Sequence, residues 1–82
     1  MKAIEILGGL IFVKDGDESD KYIQVYRAED NCVNYRLKVD CTTFAPYYEL
    51  YLDWKEGKRM LTSRLYASSK LEKIGVWITN NR

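Results

Sequence analysis

The sequence predicts a single all-β domain, an antiparallel meander of five or six short strands curled into a small barrel or an open half-barrel. Turn signals divide the chain into six segments that are rich in Tyr, Val, Ile and Thr, as strands are. Two neighbouring pairs of segments alternate apolar with polar residues, which is typical of hairpins with one buried face. The turn signals are DGDESD at 15–20, EDN at 29–31, the stretch around Pro46, KEGK at 55–58, and Ser68 with Ser69. No linker or repeat interrupts the chain, so we expect one domain over residues 1–82.

Residues 3–13 start the meander. This segment is apolar on both alternating sets of positions, as in a central strand that is covered on both faces. Gly8 and Gly9 are then expected to mark a bulge or a sharp bend within one long strand. A bent strand of this kind can belong to both halves of a barrel wall.

Residues 22–39 predict a hairpin around a three-residue loop, Glu29 to Asn31. Such a loop usually needs one residue in the left-handed region, and Asn31 suits that position. The register then pairs Ala28 with Cys32, Val25 with Tyr35, and Ile23 with Leu37. The opposite face is expected to carry Tyr26 across from Asn34, Gln24 across from Arg36, and Tyr22 across from Lys38.

Residues 48–65 predict a second hairpin. Alternation from Tyr48 to Lys55, followed by the loop Lys55–Lys58, indicates two strands. This register pairs Trp54 with Arg59, Leu52 with Leu61 and Tyr48 with Leu65, and it sets Glu49 opposite Arg64. A helix that starts near Pro46 is the alternative, but it would expose Tyr48 and Leu52 and carry Gly57 within it.

The sequence pattern of residues 69–78 is compatible with either a helix or a strand. Ser69 to Glu72 matches a capping box, so residues 69–74 can form one or two helical turns that end near Gly75. Ile74, Val76 and Ile78 alternate and favour a closing strand. The alternative fold class is therefore α+β, with one helix at about 46–56 or 64–74 packed on the sheet.

Composition excludes several classes of function. The chain has no histidine, which removes histidine bases and imidazole zinc ligands. The net charge is only +1, without the positive excess of a dedicated duplex-DNA binder. Gly8 and Gly9 precede a strand rather than the helix of a phosphate loop. We therefore expect no enzyme, no cofactor and no metal.

The cysteines and the apolar runs indicate a cytoplasmic protein. Cys32 and Cys41 are few for a disulfide framework and are expected to be free thiols. The longest apolar run, Ile6 to Val13, is shorter than the ~20 residues of a spanning helix. The N-terminal residues carry Glu5 and no small-residue cleavage site, so neither a signal peptide nor membrane binding is expected.

Acidic side chains cluster in the first loop, at Asp15, Asp17, Glu18 and Asp20. Asp15, Asp17 and Ser19 fit the first ligand positions of a calcium loop, but the sixth position is Asp20 instead of Gly. The cluster is therefore expected to be a solvated hairpin tip. A further interpretation is that it imitates phosphates and docks on a basic groove of a nucleic-acid-handling complex.

Aromatic residues give the strongest functional signal, because seven Tyr and two Trp exceed what so small a core can bury. The registers direct Tyr35, Tyr48 and Trp54 inward, and Tyr22, Tyr26, Tyr51 and Trp77 outward. Exposed tyrosines beside arginine and glutamine are typical of protein interfaces. If a helix or loop covers this side, the same tyrosines belong to a second layer of the core. The candidate binding residues are Tyr22, Gln24, Tyr26, Arg36, Lys38 and Tyr51, together with Asp15, Asp17, Glu18 and Asp20.

These features predict a non-catalytic protein-binding module that acts by occupying the surface of another protein. Small inhibitors encoded by phages and mobile elements are an analogy of size and fold. The alternative is a small barrel that stacks single-stranded nucleic acid on its tyrosines, which the charge balance favours less. An uncovered strand edge would also allow a homodimer by strand pairing. A second candidate surface lies around Tyr51, Arg59 and Arg64.

Overall fold

Six antiparallel strands form one sheet in which each strand pairs with its neighbour in the sequence. The structure is a computed structural model that describes residues 4–82, with the backbone alone for Ile4. The strands are β1 (Ile4–Leu7), β2 (Leu10–Lys14), β3 (Ile23–Asp30), β4 (Val33–Asp40), β5 (Tyr47–Glu56) and β6 (Arg59–Ser68), and one helix, α1 (Leu71–Asn81), follows them. The predicted meander is confirmed, with a helix packed on an open sheet rather than a closed barrel.

Two-residue turns join three of the strand pairs. Gly8 and Gly9, with φ of 57° and 83°, connect β1 to β2, so the expectation of one bent strand over residues 3–13 is wrong. Residue 3 itself lies outside the described residues. Asn31 and Cys32 connect β3 to β4 with φ of 48° and 68°. In both turns, positive φ at the two central residues gives a turn whose twist matches that of antiparallel strands. This is why Gly8 and Gly9 form a tight turn instead of the expected bend.

The register of β3 and β4 differs from the predicted one. Asp30 lies opposite Val33 and Tyr26 lies opposite Leu37, because the loop has two residues instead of three. The pairing is thereby shifted by three residues, and an odd shift changes which side chains share a face. The predicted face of Tyr26, Gln24, Arg36 and Lys38 is therefore divided between the two sides of the sheet.

The register of β5 and β6 is shifted by two residues from the predicted one. Glu56 lies opposite Arg59 and Trp54 opposite Leu61, since the loop is Gly57 and Lys58 alone. An even shift keeps each side chain on its predicted face as far as an irregularity between Leu50 and Tyr51. The strand prediction for 47–56 is confirmed, and the helical alternative there is wrong.

Helix α1 covers one face of the sheet. Ile74 and Ile78 are buried on it and pack with Phe12, Leu37 and Leu50. The predicted closing strand at 74–78 is wrong, because the spacing of Ile74 and Ile78 also suits one face of a helix. The predicted capping box is wrong as well, since the N-cap is Lys70 and no side chain caps it.

Candidate functional site

The face of the sheet opposite α1, called here the open face, carries a row of cationic and aromatic side chains. Arg27 of β3 lies opposite Arg36 of β4, Arg36 lies opposite Tyr51 of β5, and Tyr51 lies opposite Arg64 of β6. These four residues are called the arginine row. The guanidinium carbon of Arg36 lies 4.4 Å from the centre of the Tyr51 ring, a cation–π distance.

Asp53 holds two arginines of the row together. Arg36 Nε donates to Asp53 Oδ2 at 2.9 Å, and Arg27 Nη1 donates to the same oxygen at 3.4 Å. Asp53 is 8% exposed and is the buried charged residue of the described chain. Burial raises the pKa of Asp53, but hydrogen bonding from Arg36 and the charges of Arg36 and Arg27 outweigh burial, so the pKa lies below its ordinary value.

Glu49 organises the other end of the row. Tyr51 Oη donates to Glu49 Oε2 at 2.8 Å, and Arg64 Nη1 donates to the same oxygen at 3.3 Å. Lys38 Nζ lies 3.7 Å from Glu49 Oε1. The predicted pairing of Glu49 with Arg64 is thus made diagonally. Burial raises the pKa of Glu49, but these hydrogen bonds and charges outweigh burial, so the pKa lies below its ordinary value. Burial and the bond to Glu49 raise the pKa of Tyr51.

The acidic loop folds back onto the open face. Asp15 accepts hydrogen bonds from the backbone N–H groups of Asp17 and Glu18, and its Oδ2 accepts one from Arg27 Nε at 2.9 Å. Glu18 Oε2 lies 2.6 Å from Arg27 Nη2. The bond from Arg27 is the main reason why the pKa of Asp15 is lowered. Two of the four carboxylates, Asp15 and Glu18, therefore form ion pairs with Arg27 of the arginine row.

Asp20 has a structural contact of its own. Its carboxylate accepts hydrogen bonds at 2.8 Å from the backbone N–H groups of Tyr22 and Ile23, and these bonds lower its pKa. The loop is thereby fixed at the entry to β3. Asp17 is exposed, and within residues 4–82 its carboxylate forms no ion pair or hydrogen bond.

Apolar side chains flank the arginine row on both sides. Ile6 and Ile11 project from β1 and β2 with 69% and 58% of their surface exposed, and Met60 projects from β6 with 65% exposed. Ile11, Arg27, Asp53 and Met60 help to line a concavity of about 450 Å³ on this face. An exposed apolar surface around fixed polar groups is the anatomy of a docking site.

The predicted site residues fall into separate places. Arg36, Lys38 and Tyr51 lie on the open face with their carboxylate partners. Tyr26 packs against the core on the α1 side, so its predicted outward position is wrong. Gln24 lies on that side as well, opposite Val39, and its amide donates to the backbone oxygen of Asp20. The odd register shift in the β3–β4 hairpin causes both corrections.

Tyr22 lies apart from both groups, at the end of the sheet. Its backbone oxygen accepts a hydrogen bond from the N–H of Cys41. Phe44 in the loop before β5 and Tyr47 at the start of β5 are exposed at the same end. These three aromatic side chains are exposed at the end of the sheet where β3 and β5 begin.

Both tryptophans differ from their predicted positions. Trp77, predicted to face outward, packs against the core and stacks with Tyr66 at 6.2 Å between ring centres, because its segment is helical. Trp54, predicted to face inward, is exposed near the far end of β5. Trp54 lies on the predicted face of β5, but α1 packs against another part of that face and does not cover it.

Sequence reasoning missed Arg27, Asp53 and the exposed Ile6 and Ile11. Asp53 stood at a polar position of an alternating strand, whereas Arg27 shares its alternation with Ile23 and Val25, and only the observed register brings the two together across β4. Ile6 and Ile11 were assigned to a doubly covered strand, whereas the turn at Gly8 and Gly9 makes them opposite neighbours on one uncovered face. The signal that could have located them is the Gly-Gly pair itself, which suits a two-residue hairpin turn.

Metal-binding geometry is absent from residues 4–82, where no three Cys, Asp or Glu side chains are grouped to hold an ion. Cys32 and Cys41 are both exposed free thiols. No helix in the described part of the chain is long and apolar enough to cross a bilayer. Comparison of the chain with protein-family models, with curated proteins and with solved structures gave no match. The geometry of the open face is therefore the basis of the proposed function.

Proposed function

We propose that this protein is a non-catalytic protein-binding module whose open face docks on a partner protein, in the manner of a small inhibitor that occupies a partner's surface. The observation that carries the proposal is the exposure of Ile6, Ile11 and Met60 on either side of the arginine row. Protein interfaces combine apolar contact area with arginine and tyrosine, and these two residue types are enriched among binding hot spots.

The arginine row supports the proposal because its side chains are already ordered. Arg27 and Arg36 are held by Asp53, and Arg36 also donates to Thr62 Oγ1 at 3.0 Å. Fixing a long side chain at an interface costs about 0.5–1.5 kcal/mol, and a side chain that is fixed beforehand avoids most of that cost. The row is thus suited to orient a partner through the guanidinium edges that remain free.

The carboxylates of the open face support a binding role over catalysis. Asp53 and Glu49 have lowered pKa values and are engaged by arginine or tyrosine. A general acid near neutral pH needs a raised pKa, and a general base needs a free lone pair directed at the substrate. Both carboxylates are therefore better placed to hold the arginine row than to transfer protons.

Charge also favours a protein over single-stranded nucleic acid as the partner. Arg27, Arg36 and Arg64 each lie within 3.4 Å of a carboxylate oxygen. Phosphate binding gains most of its free energy from cations that neutralise phosphates and release counterions. Arginines that already have carboxylate partners contribute less to that gain.

Site-specific photo-crosslinking tests the proposal. A photoreactive phenylalanine analogue replaces Ile11 on the open face or Val76 on the outer surface of α1, two positions that are each 58% exposed. In a lysate of the producing cell, we expect a protein crosslinked from position 11 and absent from position 76. The affinity of the purified partner should then fall by about thirtyfold with Ile11→Asp, a hot-spot cost of about 2 kcal/mol, and remain unchanged with Val76→Asp.

Two results would contradict this function. One is wild-type affinity of folded Ile11→Asp for the identified partner, with folding checked by circular dichroism. The other is tight, steeply salt-dependent binding of single-stranded oligonucleotides that Ile11→Asp weakens, which would favour the nucleic-acid alternative.

A further inference from the structure

Strand β6 provides a long free edge to the sheet. It has ten residues, Arg59–Ser68, and pairs on one side with β5. Within residues 4–82, no backbone hydrogen bond from a turn, a loop or α1 reaches its outer side. Within the described residues, the opposite edge strand, β1, has four residues. A long edge with unpaired N–H and C=O groups is a template for an additional strand.

The turn before β6 determines which backbone groups face outward. Gly57 and Lys58 are the central residues of the turn, so Glu56 and Arg59 form the closing hydrogen-bonded pair. Hydrogen-bonded and non-hydrogen-bonded pairs alternate along an antiparallel ladder. The N–H and C=O groups of Met60, Thr62 and Arg64 therefore point away from β5, toward the free edge.

The charge of this edge has one sign. Residues 57–71 contain Lys58, Arg59, Arg64 and Lys70 and no acidic residue. The whole chain has a net charge of +1, so the remaining residues sum to −3, since +1 minus +4 is −3. The free edge is thus the basic part of an otherwise acidic protein, and it attracts a segment of opposite charge.

A second copy of this chain is a poor occupant for the edge. Pairing β6 with itself would bring two strands together that each carry Arg59 and Arg64 and no carboxylate. Like charges on neighbouring strands are destabilising. The same charges make an extended segment with glutamate or aspartate side chains a favourable occupant.

We propose that β6 binds an extended acidic segment of a partner protein as a seventh strand of the sheet. The inference rests on the proposed protein-binding function and specifies the chemistry of the partner. Main-chain hydrogen bonds to Met60, Thr62 and Arg64 supply affinity, and the exposed side chains of Arg59 and Lys70 select acidic side chains. Met60 contributes both to this edge and to the concavity of the open face, so one partner can occupy both surfaces.

Peptide binding tests the proposal directly. The probe is a fluorescent eight-residue peptide of alternating threonine and glutamate, compared with the same peptide carrying lysine in place of glutamate. We expect the acidic peptide to bind at low salt and the basic peptide not to bind. On binding, the backbone N–H groups of Met60, Thr62 and Arg64 should gain protection from hydrogen exchange, because each becomes part of a ladder.

A matched pair of variants separates backbone from side chain. Met60→Pro removes an outward N–H group without breaking a bond to β5, and proline is tolerated at such edge positions. Met60→Ala removes the side chain and keeps the N–H group. We expect Met60→Pro to bind the acidic peptide about tenfold or more weakly than Met60→Ala, equivalent to losing about one hydrogen bond and its flanking contacts. Because both variants lose the Met60 side chain, this difference reports the backbone N–H group.

Charge reversal gives a second, independent measurement that does not depend on proline being tolerated. The double variant Arg59→Glu, Lys70→Glu should lose the acidic peptide and bind the basic peptide instead, since both residues are exposed. The proposal is wrong if the two peptides bind the wild type equally, if neither binds, or if folded Met60→Pro binds like Met60→Ala. It is also wrong if sedimentation shows a dimer that Met60→Pro abolishes, because the occupant is then a second copy.

The partner identified by crosslinking distinguishes this inference from the proposed function. If Ile11→Asp weakens that complex and Met60→Pro binds the partner as tightly as Met60→Ala does, the open face is the docking surface and the role of the β6 edge is wrong. If Met60→Pro binds the partner more weakly than Met60→Ala does and Ile11→Asp binds like the wild type, the edge is the docking surface and the role of the open face is wrong.

Discussion

Replacing Asp53 with asparagine should destabilise the fold through the arginine row. The Asp53 carboxylate accepts hydrogen bonds from Arg36 at 2.9 and 3.3 Å and from Arg27 at 3.4 Å. Asparagine keeps one oxygen acceptor but presents an NH₂ donor to the second arginine contact. A hydrogen bond to a charged group contributes about 1.5–3 kcal/mol. Arg27 is partly exposed and can turn into water, so we expect Asp53→Asn to cost about 2 kcal/mol.

This free energy corresponds to a large shift of the melting temperature in a domain of this size. For 60–100 residues, each kcal/mol lowers Tm by about 4–8 °C, so Asp53→Asn should lower Tm by roughly 8–16 °C. Thermal unfolding followed by circular dichroism measures this shift at neutral pH. Urea unfolding gives the corresponding free energy, and an unchanged slope against urea would show that the unfolded state is unaltered.

The difference in stability between wild type and Asp53→Asn should also depend on pH. The pKa of Asp53 in the folded protein lies below the ordinary value of 3.8. A depressed folded-state pKa stabilises the protein fully above the unfolded-state pKa, and this stabilisation is lost as pH falls through the folded-state pKa. The difference in stability between wild type and Asp53→Asn should therefore be complete at neutral pH and should close below pH 3.8.

Asp17→Asn is the matched control, because Asp17 is an exposed carboxylate of the acidic loop. Its free energy of unfolding at neutral pH should stay within about 0.5 kcal/mol of the wild-type value, the usual range for exposed substitutions. Equal Tm values for wild type and Asp53→Asn at neutral pH would refute the reasoning. A Tm difference that persisted unchanged into strong acid would refute it as well, since the carboxylate is then protonated in the wild type.

Three further predictions concern the turn at Gly8, the side chain of Tyr26 and the two thiols. Gly8→Ala should cost about 2 kcal/mol or more in urea unfolding, because φ is +57° and the new Cβ would lie 2.6 Å from Ile78, whereas Gly16→Ala, with no atom within 4 Å of its Cβ, should cost far less. Tyr26→Ala should lower Tm, since Tyr26 packs against the core, and an unchanged Tm with weakened partner binding would restore its predicted role on a binding surface. The double variant Cys32→Ser, Cys41→Ser should keep partner binding, and a mass spectrum of the native protein should show two free thiols, which a native disulfide would contradict.

The strands of the meander could be predicted from sequence because turn chemistry and alternation are local signals. Glu29 to Asn31 correctly located the first predicted hairpin, and Asn31 has the expected positive φ. The exact loop length could not be predicted, because the two-residue turn requires a positive φ at Cys32 as well, and a non-glycine residue rarely adopts one. That single residue moved the register by an odd number and divided the predicted site between two faces.

The identity of the last element could not be predicted from local pattern alone. Ile74, Val76 and Ile78 alternate as in a strand, while Ile74 and Ile78 are also one helical turn apart. The choice depends on the uncovered apolar side chains of Phe12, Leu37 and Leu50, which a strand added at the edge would leave in water. Tertiary packing therefore overrides the β preference of this segment, and it also places Trp77 against the core.

The open face indicates where a partner must gain its binding energy. Its centre is the arginine row, where Asp53 and Glu49 already satisfy the cations, so a partner that buried the row would have to desolvate charges that it cannot pair better. Its flanks are apolar, with Ile11 on one side and Met60 on the other, and burying apolar surface gains about 25 cal/mol per Å² without such a cost. A partner should therefore contact both flanks strongly and meet the arginine row mainly through its free guanidinium edges. Truncating Ile11 should therefore cost more binding affinity than truncating Arg36. Truncating Arg36 should mainly lower folding stability, because Arg36 contacts Tyr51 and Asp53.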